Sequence, residues 1–563
     1  MLIFNYISIF IILAIIVTSL LCYKFKFNFI EYLNNNKYIN YCNNFCNNYF
    51  KYICLLIIAI GIFVTIYELD KLPMGIHVDE AGMAYDSMSI ANYGVDRYLN
   101  KLPVYLINFG GGQSAMYAYI AAVLIKIFGY SLFIVRLPAV ILKISMLICA
   151  FILMKNSNNK LFKVLLTLLL SIVPYFIMSS RWGLDCNLLL GFITIAITLL
   201  IQSLNDTNKT IKKITLLIFS SVFFGLALYT YALSYLIIPL MLIFICIYLL
   251  YIRKLKFTDI IIFGIPMFIL AIPLMLMLLV NNGYIDQINS FITIPKLISY
   301  RGSEVSLSNI NDNLYIFKSI FSIDKDPALT YNSIKEFGTI YYCLIPFFIM
   351  GIIYGLKNIY LSIKNKKFCI DAIMFFWGIS VIICQLLIIN PNINKANAIF
   401  FPILYFVVIG IVNIVKNLKI LLLPILILLI INFSLFINYY FNSYNKDNYN
   451  NCFVPVPFIN ALEYIQTMDN LDIILSKAVA VQEHIYINLF NNISPYNFSR
   501  EVITVPFKDN KTRTYKIIDI KDIDITNENN CIYVLPTDSD LSKELTNKNY
   551  NFKTFDYVTV FYK

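Results

Sequence analysis

The sequence predicts an α-helical polytopic membrane protein of about twelve spans, with a small extracytoplasmic α/β domain at its C-terminal end. Three observations predict it. Hydrophobic residues are 59% of the 563-residue chain and charged residues only 13%, whereas soluble domains are roughly 45–50% apolar. Long apolar runs fill residues 1–440 and are absent from 441–563. Lysines and arginines collect in the short loops between the runs, the bias that orients membrane proteins.

In chain order, runs long enough to cross a bilayer lie near 2–22, 52–68, 131–154, 161–180, 187–203, 213–230, 231–252, 258–279, 338–356, 371–389, 398–415 and 420–440. The first lacks a basic leader and a small-residue cleavage site, so it reads as a retained helix rather than a signal peptide. The loops carrying Lys24, Lys155, Lys212, Lys254, Lys364 and Lys416 fall on one, cytoplasmic, side only if residues 114–130 do not cross. That parity places 69–130, 181–186, 280–337, 390–397 and 441–563 outside. Four regions result: helices with a cytoplasmic loop (1–68), an external loop with juxtamembrane helices (69–130), a transmembrane body containing external loop 280–337 (131–440), and an external soluble domain (441–563). In the last, 457–468 has helical spacing, while 502–506, 531–536 and 557–563 alternate as strands.

The net charge of +12 belongs to orienting loops and does not point to nucleic acid. Most of the 12 cysteines sit inside apolar runs as small buried groups; Cys452 and Cys531 in the tail are a candidate pair. With 2 histidines in the chain, a multi-histidine zinc site is excluded.

Chemistry concentrates in residues 72–136. Asp79 and Glu80 are adjacent, point in different directions, and can take separate roles: one accepting a proton, the other orienting a substrate. Against this stands the ordinary fate of acidic loop residues, which is to be solvated. His77 precedes the pair and reads as a surface residue, with a divalent ion beside Asp79 and Glu80 left open. Asp86, further along the same stretch, reads as solvated or facing the same cavity. Arg136 and Arg181 stand at the outer ends of spans, where a charge is costly unless paired or at the interface; each either binds an anion or reaches headgroups. Arg301 in the 280–337 loop is a third candidate. Asp185, four residues after Arg181, would face it on a helix and form a salt bridge. Gly110-Gly111-Gly112 is either a flexible turn or a close backbone approach to a phosphate.

The ordered set Asp79-Glu80, Gly94, Pro103, Gly110-Gly111-Gly112 and GYSLFIVRL ending at Arg136-Leu137 resembles the first external loop of the GT-C membrane glycosyltransferases, which include protein O-mannosyltransferases and aminoarabinose transferases. SSRWGLDCN at 179–187 resembles their second external segment. The resemblance implies transfer of a sugar from a polyprenyl-phosphate donor to a hydroxyl of a protein, lipid or cell-wall glycan acceptor, at the outer face of the cell membrane and among its lipids. It implies Asp79 as general base, Glu80 in acceptor positioning, Arg136, Arg181 and Arg301 at the donor phosphate, and His77, Asp185 and Asp86 in support. The absence of a GxGxxG element agrees with a donor that carries no nucleotide. The competing class is a transporter or flippase of lipid-linked glycans. It would show two similar halves and charges at mid-membrane; no repeat is visible, and Lys143 is the one central charge noted.

Overall fold

The computed structural model describes the chain apart from residues 26–36, 110, 154–158, 206–209, 301, 323–330, 448, 450–452, 470–471, 509–510 and 526–530. Ten described helices are long and apolar enough to cross a bilayer, or eleven if the bent pair Lys160–Ile172 and Pro174–Arg181 is one span. Pro174 accounts for the 61° bend, because its ring and missing amide hydrogen interrupt a helix, and Val173 before it is extended. Helix Thr210–Ala227 occupies the place of the remaining expected span. The chain is therefore a multi-pass membrane protein.

Helix Met116–Phe128 has 13 residues. At 1.5 Å per residue it is about 20 Å long, too short for a hydrocarbon core of about 30 Å. Its length agrees with the reading that 114–130 does not cross.

Helix Ile345–Asn365 packs on Phe400–Asn417 at closest range through glycine. A Cβ on Gly351 would collide with the Phe406 carbonyl, and one on Gly410 with that of Phe347. Gly355, one turn on, is covered by the Phe406 ring. Small residues at this spacing let helix backbones touch, and the gain is dispersion.

Two small hairpins shape the loops. Strand β1 (Tyr105–Asn108) pairs with β2 (Gly111–Ser114), and β3 (Ile288–Asn289) with β4 (Thr293–Ile294). The long loops meet at Thr293, whose N–H donates to Lys101 and whose carbonyl accepts from Val104, both at 2.9 Å.

The C-terminal segment forms one mixed sheet from β5 (Asp472–Ser476), β6 (Val502–Pro506), β7 (Thr512–Ile518), β8 (Cys531–Pro536), β9 (Asn551–Phe555) and β10 (Val558–Tyr562), in the order β6-β7-β5-β8-β10-β9. Only β5 pairs in parallel, with β7 and β8. The expected helix and three strands are present at 456–466, 502–506, 531–536 and 558–562. Strands β5, β7 and β9 were not anticipated. β5 is buried after its first residue and β9 is exposed along almost its whole length, so neither shows the alternation that marks a half-buried strand. β7 alternates, but its buried positions include Arg513. Cys452 of the candidate cysteine pair lies outside the described residues.

The sheet domain shares a core with the loop that carries the acidic pair. Ile76, Val78, Ala81 and Tyr85 pack with Phe458, Leu462, Ile485 and Tyr486. Val78 N–H donates to the Phe453 carbonyl at 2.8 Å, Tyr85 Oη to the Ile493 carbonyl at 2.7 Å, and Tyr486 Oη to the Ile76 carbonyl at 3.2 Å.

Gly351→Leu or Gly410→Leu should lower thermal stability by about 1–3 kcal/mol, the usual range for overpacking. Gly264→Ala, at a position with open space around it, serves as the control. Thermal unfolding of detergent-purified protein measures the difference.

Candidate active site

The acidic pair begins helix Val78–Tyr93. His77 is its N-cap: Nδ1 accepts from the Asp79 N–H at 3.1 Å, and Glu80 Oε2 reaches back to the His77 N–H at 3.4 Å. This reciprocal box satisfies two amides the first turn leaves open. Gly94 ends the helix at φ 73°, where the absence of a Cβ removes the strain.

Successive helix residues point about 100° apart, so the two carboxylates diverge. The Asp79 side chain is 43% exposed, while Glu80 is fully buried. Glu80 Oε1 accepts from Arg136 Nε at 2.9 Å, and Oε2 from Nη2 at 3.1 Å. Gly183 N–H adds a bond to Oε1 at 2.7 Å. The other Arg136 donors reach the carbonyls of Leu69 at 2.9 Å, Pro73 at 3.0 Å and Gly75 at 2.8 Å. A guanidinium has five N–H groups, and all of Arg136's are engaged.

Arg181 is equally committed. Nε bonds the Leu72 carbonyl, Nη1 those of Val64 and Thr65, and Nη2 those of Tyr67, Glu68 and Leu72, at 2.7 to 3.2 Å. Val64 and Thr65 end helix Lys37–Ile66, whose last carbonyls have no partner within the helix. Neither arginine has a donor left for a phosphate in this arrangement, which departs from the role the resemblance implies for them. The reason is burial: both side chains pack against residues 64–75, and their charge is met by carbonyls there and, for Arg136, by Glu80.

The expected Arg181–Asp185 pair does not form. The helical run stops at Arg181, and Trp182 is extended at φ −119° and ψ 137°, so a four-residue spacing no longer faces the two together. Asp185 instead accepts from Ser114 N–H at 3.1 Å and from Cys186 N–H at 2.8 Å. It is close enough to Asp79 for the two carboxylates to repel. Asp86 is neither solvated nor open to a cavity. It is 1% exposed and paired with Arg97 through Nη2 at 2.7 Å and Nε at 3.0 Å.

Arg97 and Asn108 complete the surroundings of Asp79, and sequence reasoning missed both. Asn108 Nδ2 donates to Asp79 Oδ1 at 3.2 Å, and Arg97 Nη1 approaches Asn108 Oδ1 at 3.4 Å. No spacing rule pairs residues eleven or twenty-nine apart across a turn and a hairpin.

His77 is buried at 4% exposure rather than on the surface. Its ring stacks on Phe453 at 5.8 Å and meets Tyr331 at 5.0 Å and Trp182 at 6.3 Å edge-on. Burial pushes its pKa below the ordinary value, against the opposing pull of Asp79 and Glu80. Among the described residues no group of three His, Cys, Asp or Glu side chains converges on a metal position. Glu80 is held by Arg136, and His77 Nδ1 by a backbone amide. Gly111 and Gly112 are strand residues of β2, and a Cβ on Gly112 would strike the Tyr105 ring; Gly110 and Arg301 lie outside the described residues.

No protein-family model matches the chain, and no curated protein matches it. Solved structures do. ArnT from Cupriavidus metallidurans bound to undecaprenyl phosphate superposes with TM-score 0.53 at 10% identity, over 90% of this chain and 97% of that one. Its apo form gives TM-score 0.52 at 10% identity over the same shares. The archaeal oligosaccharyltransferase AglB from Archaeoglobus fulgidus, in complex with an inhibitory peptide and a dolichol-phosphate, gives 0.47 at 11% identity over 78% of this chain and 63% of that one. The chain has the fold of ArnT.

Two expectations follow from the geometry. Glu80→Ala or Arg136→Ala should each cost about 3–5 kcal/mol, because each leaves a buried charge without its partner. The readout is loss of monodisperse protein on gel filtration, with partial recovery in the double variant Glu80→Met/Arg136→Met. Equal yield for the single variants would contradict a scaffolding role. For His77, the depressed folded pKa means that the unfolded chain takes up a proton first as pH falls below about 6.5. Its contribution to stability is therefore lost on acidification. His77→Asn keeps a cap acceptor and removes the titration, so melting temperature should fall less between pH 7 and pH 5 in that variant than in the wild type.

Proposed function

We propose that the chain is a glycosyltransferase that moves a sugar from a polyprenyl-phosphate donor to an acceptor hydroxyl at the outer face of the membrane. The observation that carries this reading is the division within the acidic pair: Glu80 is spent on Arg136, while Asp79 stays exposed with only one oxygen held. The fold likeness to ArnT, a structure bound to undecaprenyl phosphate, supports the donor class. The lysine bias supports the side: Asp79 lies on the loop face opposite the lysine-rich turns.

Asp79 acts as the general base. The acceptor O–H gives its proton to the open carboxylate oxygen as the acceptor oxygen attacks the anomeric carbon. The bond from that carbon to the phosphate oxygen breaks, and polyprenyl phosphate leaves with the electron pair. A single displacement inverts the anomeric centre. Asp185, held by the Ser114 amide, is the second carboxylate of the site and a candidate for orienting hydroxyls. Glu80 serves by fixing the loop, with Arg136 and Arg181, rather than by touching substrate. Arg301 is retained as the contact for the donor phosphate. A general base contributes about 10²–10⁴ in rate, or roughly 3–5 kcal/mol.

Asp79→Asn should therefore keep wild-type yield and melting temperature while losing at least about a hundredfold in transfer from radiolabelled polyprenyl-phosphate sugars. Equal release of carrier lipid by wild type and variant would sink the assignment of the base, and release by neither would sink the reaction class.

A further inference from the structure

We infer that Asn108 is a positioning residue for Asp79, with its amide orientation set by the buried Asp86–Arg97 ion pair. The inference rests on the reading of Asp79 as the base and identifies what holds that base ready.

An asparagine amide can present either its oxygen or its NH₂ group to a neighbour. Here the choice is forced. Arg97 has only donors, and its Nη1 lies 3.4 Å from Asn108 Oδ1, so the amide oxygen faces the arginine. The NH₂ end then faces Asp79, with Nδ2 at 3.2 Å from Oδ1.

Arg97 cannot turn away. Nε contacts both Asp86 oxygens at 3.0 and 3.1 Å, and Nη2 holds Oδ2 at 2.7 Å and the Gly82 carbonyl at 2.6 Å. Its backbone N–H also donates to Asp86 Oδ1 at 3.0 Å. Both side chains of the pair are 1% exposed.

Gly82 is the seat of the arrangement. A Cβ there would stand 2.8 Å from Arg97 Nη2 and 3.0 Å from Asn108 Oδ1. The β1–β2 hairpin supplies the remaining constraint, since Asn108 pairs with Gly111 and is itself 8% exposed.

The consequence falls on Asp79. A donor aimed at a carboxylate favours its ionised form, the form a base requires. It also fixes one oxygen and leaves the other for the acceptor hydroxyl. If Arg97 were lost, the amide could turn and set oxygen against oxygen.

The other titratable groups that act on or feel Asp79 are His77 on the helix cap, Glu80 beside it, Asp185 and Cys186 before helix Leu189–Asn205, and Tyr486 of the C-terminal sheet domain. None of them is altered in the test.

The test reads Asp79 directly and does not depend on turnover. Full-length protein in detergent is modified with a carbodiimide and an amine nucleophile across pH, and labelling of Asp79 is followed by peptide mass spectrometry. Protonated carboxyls react, so the midpoint reports the protonation of Asp79. Asn108→Ala should raise that midpoint, because a hydrogen bond to the charged form is lost. Arg97→Lys, which keeps a positive charge against Asp86 but not the fork, should raise it by less. It carries the test alone if the alanine variant is not recovered folded. An unmoved midpoint overturns the inference, whatever the activity. A moved midpoint in a protein whose Asp79→Asn variant still transfers sugar leaves the positioning intact and removes the catalytic reading. If both hold, the acid limb of the transfer–pH profile should shift with the labelling midpoint, while a merely structural role would lower yield and leave both midpoints in place.

Discussion

Two buried guanidinium groups must find an acceptor for every N–H, and that requirement organises the loop that carries Asp79 and Glu80. Arg136 and Arg181 together bind Glu80 and the carbonyls of Val64, Thr65, Tyr67, Glu68, Leu69, Leu72, Pro73 and Gly75. The end of helix Lys37–Ile66 and the turn that follows it are thereby tied to two fixed side chains. An unsatisfied buried donor costs about 1–3 kcal/mol, and more when charged. That turn is thus held by a penalty for opening as much as by the bonds themselves. A buried charge at the end of a span is tolerated where backbone acceptors are dense, at the end of a helix and in the turn that follows.

The same constraint separates two chemically similar residues. Glu80 and Asp79 are adjacent, and either could act as a base in solution. Burial beside Arg136 removes Glu80 from the contest and makes it the fixed point from which helix Val78–Tyr93 starts. Asp79, rotated toward the open side, accepts a side-chain hydrogen bond from Asn108. A fixed carboxylate and an open one are therefore divided over one helical turn, and the fixed member orients the open one.

Around this turn the chain gathers distant parts. The β1–β2 hairpin touches both exposed-side carboxylates, through Asn108 to Asp79 and through the Ser114 amide to Asp185. The C-terminal sheet domain closes the other flank, with Phe453 on the His77 ring and Tyr486 bonded to the Ile76 carbonyl. A tail without a motif of its own is thus part of the wall beside the acidic pair. Its packing on Val78, Ala81 and Tyr85 explains why a polar-looking loop carries an apolar face.

The sequence by itself determined the class of molecule: a helical membrane body, a segment at 114–130 that charge parity keeps from crossing, an α/β tail, and a polar loop around Asp79 whose residue order resembles one known family. These properties are written in apolar run length, charge bias, two-residue alternation and the order of loop residues, all of which are local. It also pointed to Asp79, Glu80, Arg136 and Arg181 as the notable charges, because charge is rare in such a chain. Tertiary structure alone decided what each does. The Glu80–Arg136 pair spans 56 positions and Asn108–Asp79 spans 29, and no periodicity encodes such contacts. The Arg181–Asp185 spacing suggested a pair that the extended Trp182 prevents, and Asp86 found Arg97 around a turn. Partner choice for a buried charge depends on which backbone and side-chain groups the fold brings within about 3 Å, and only the folded chain sets those distances.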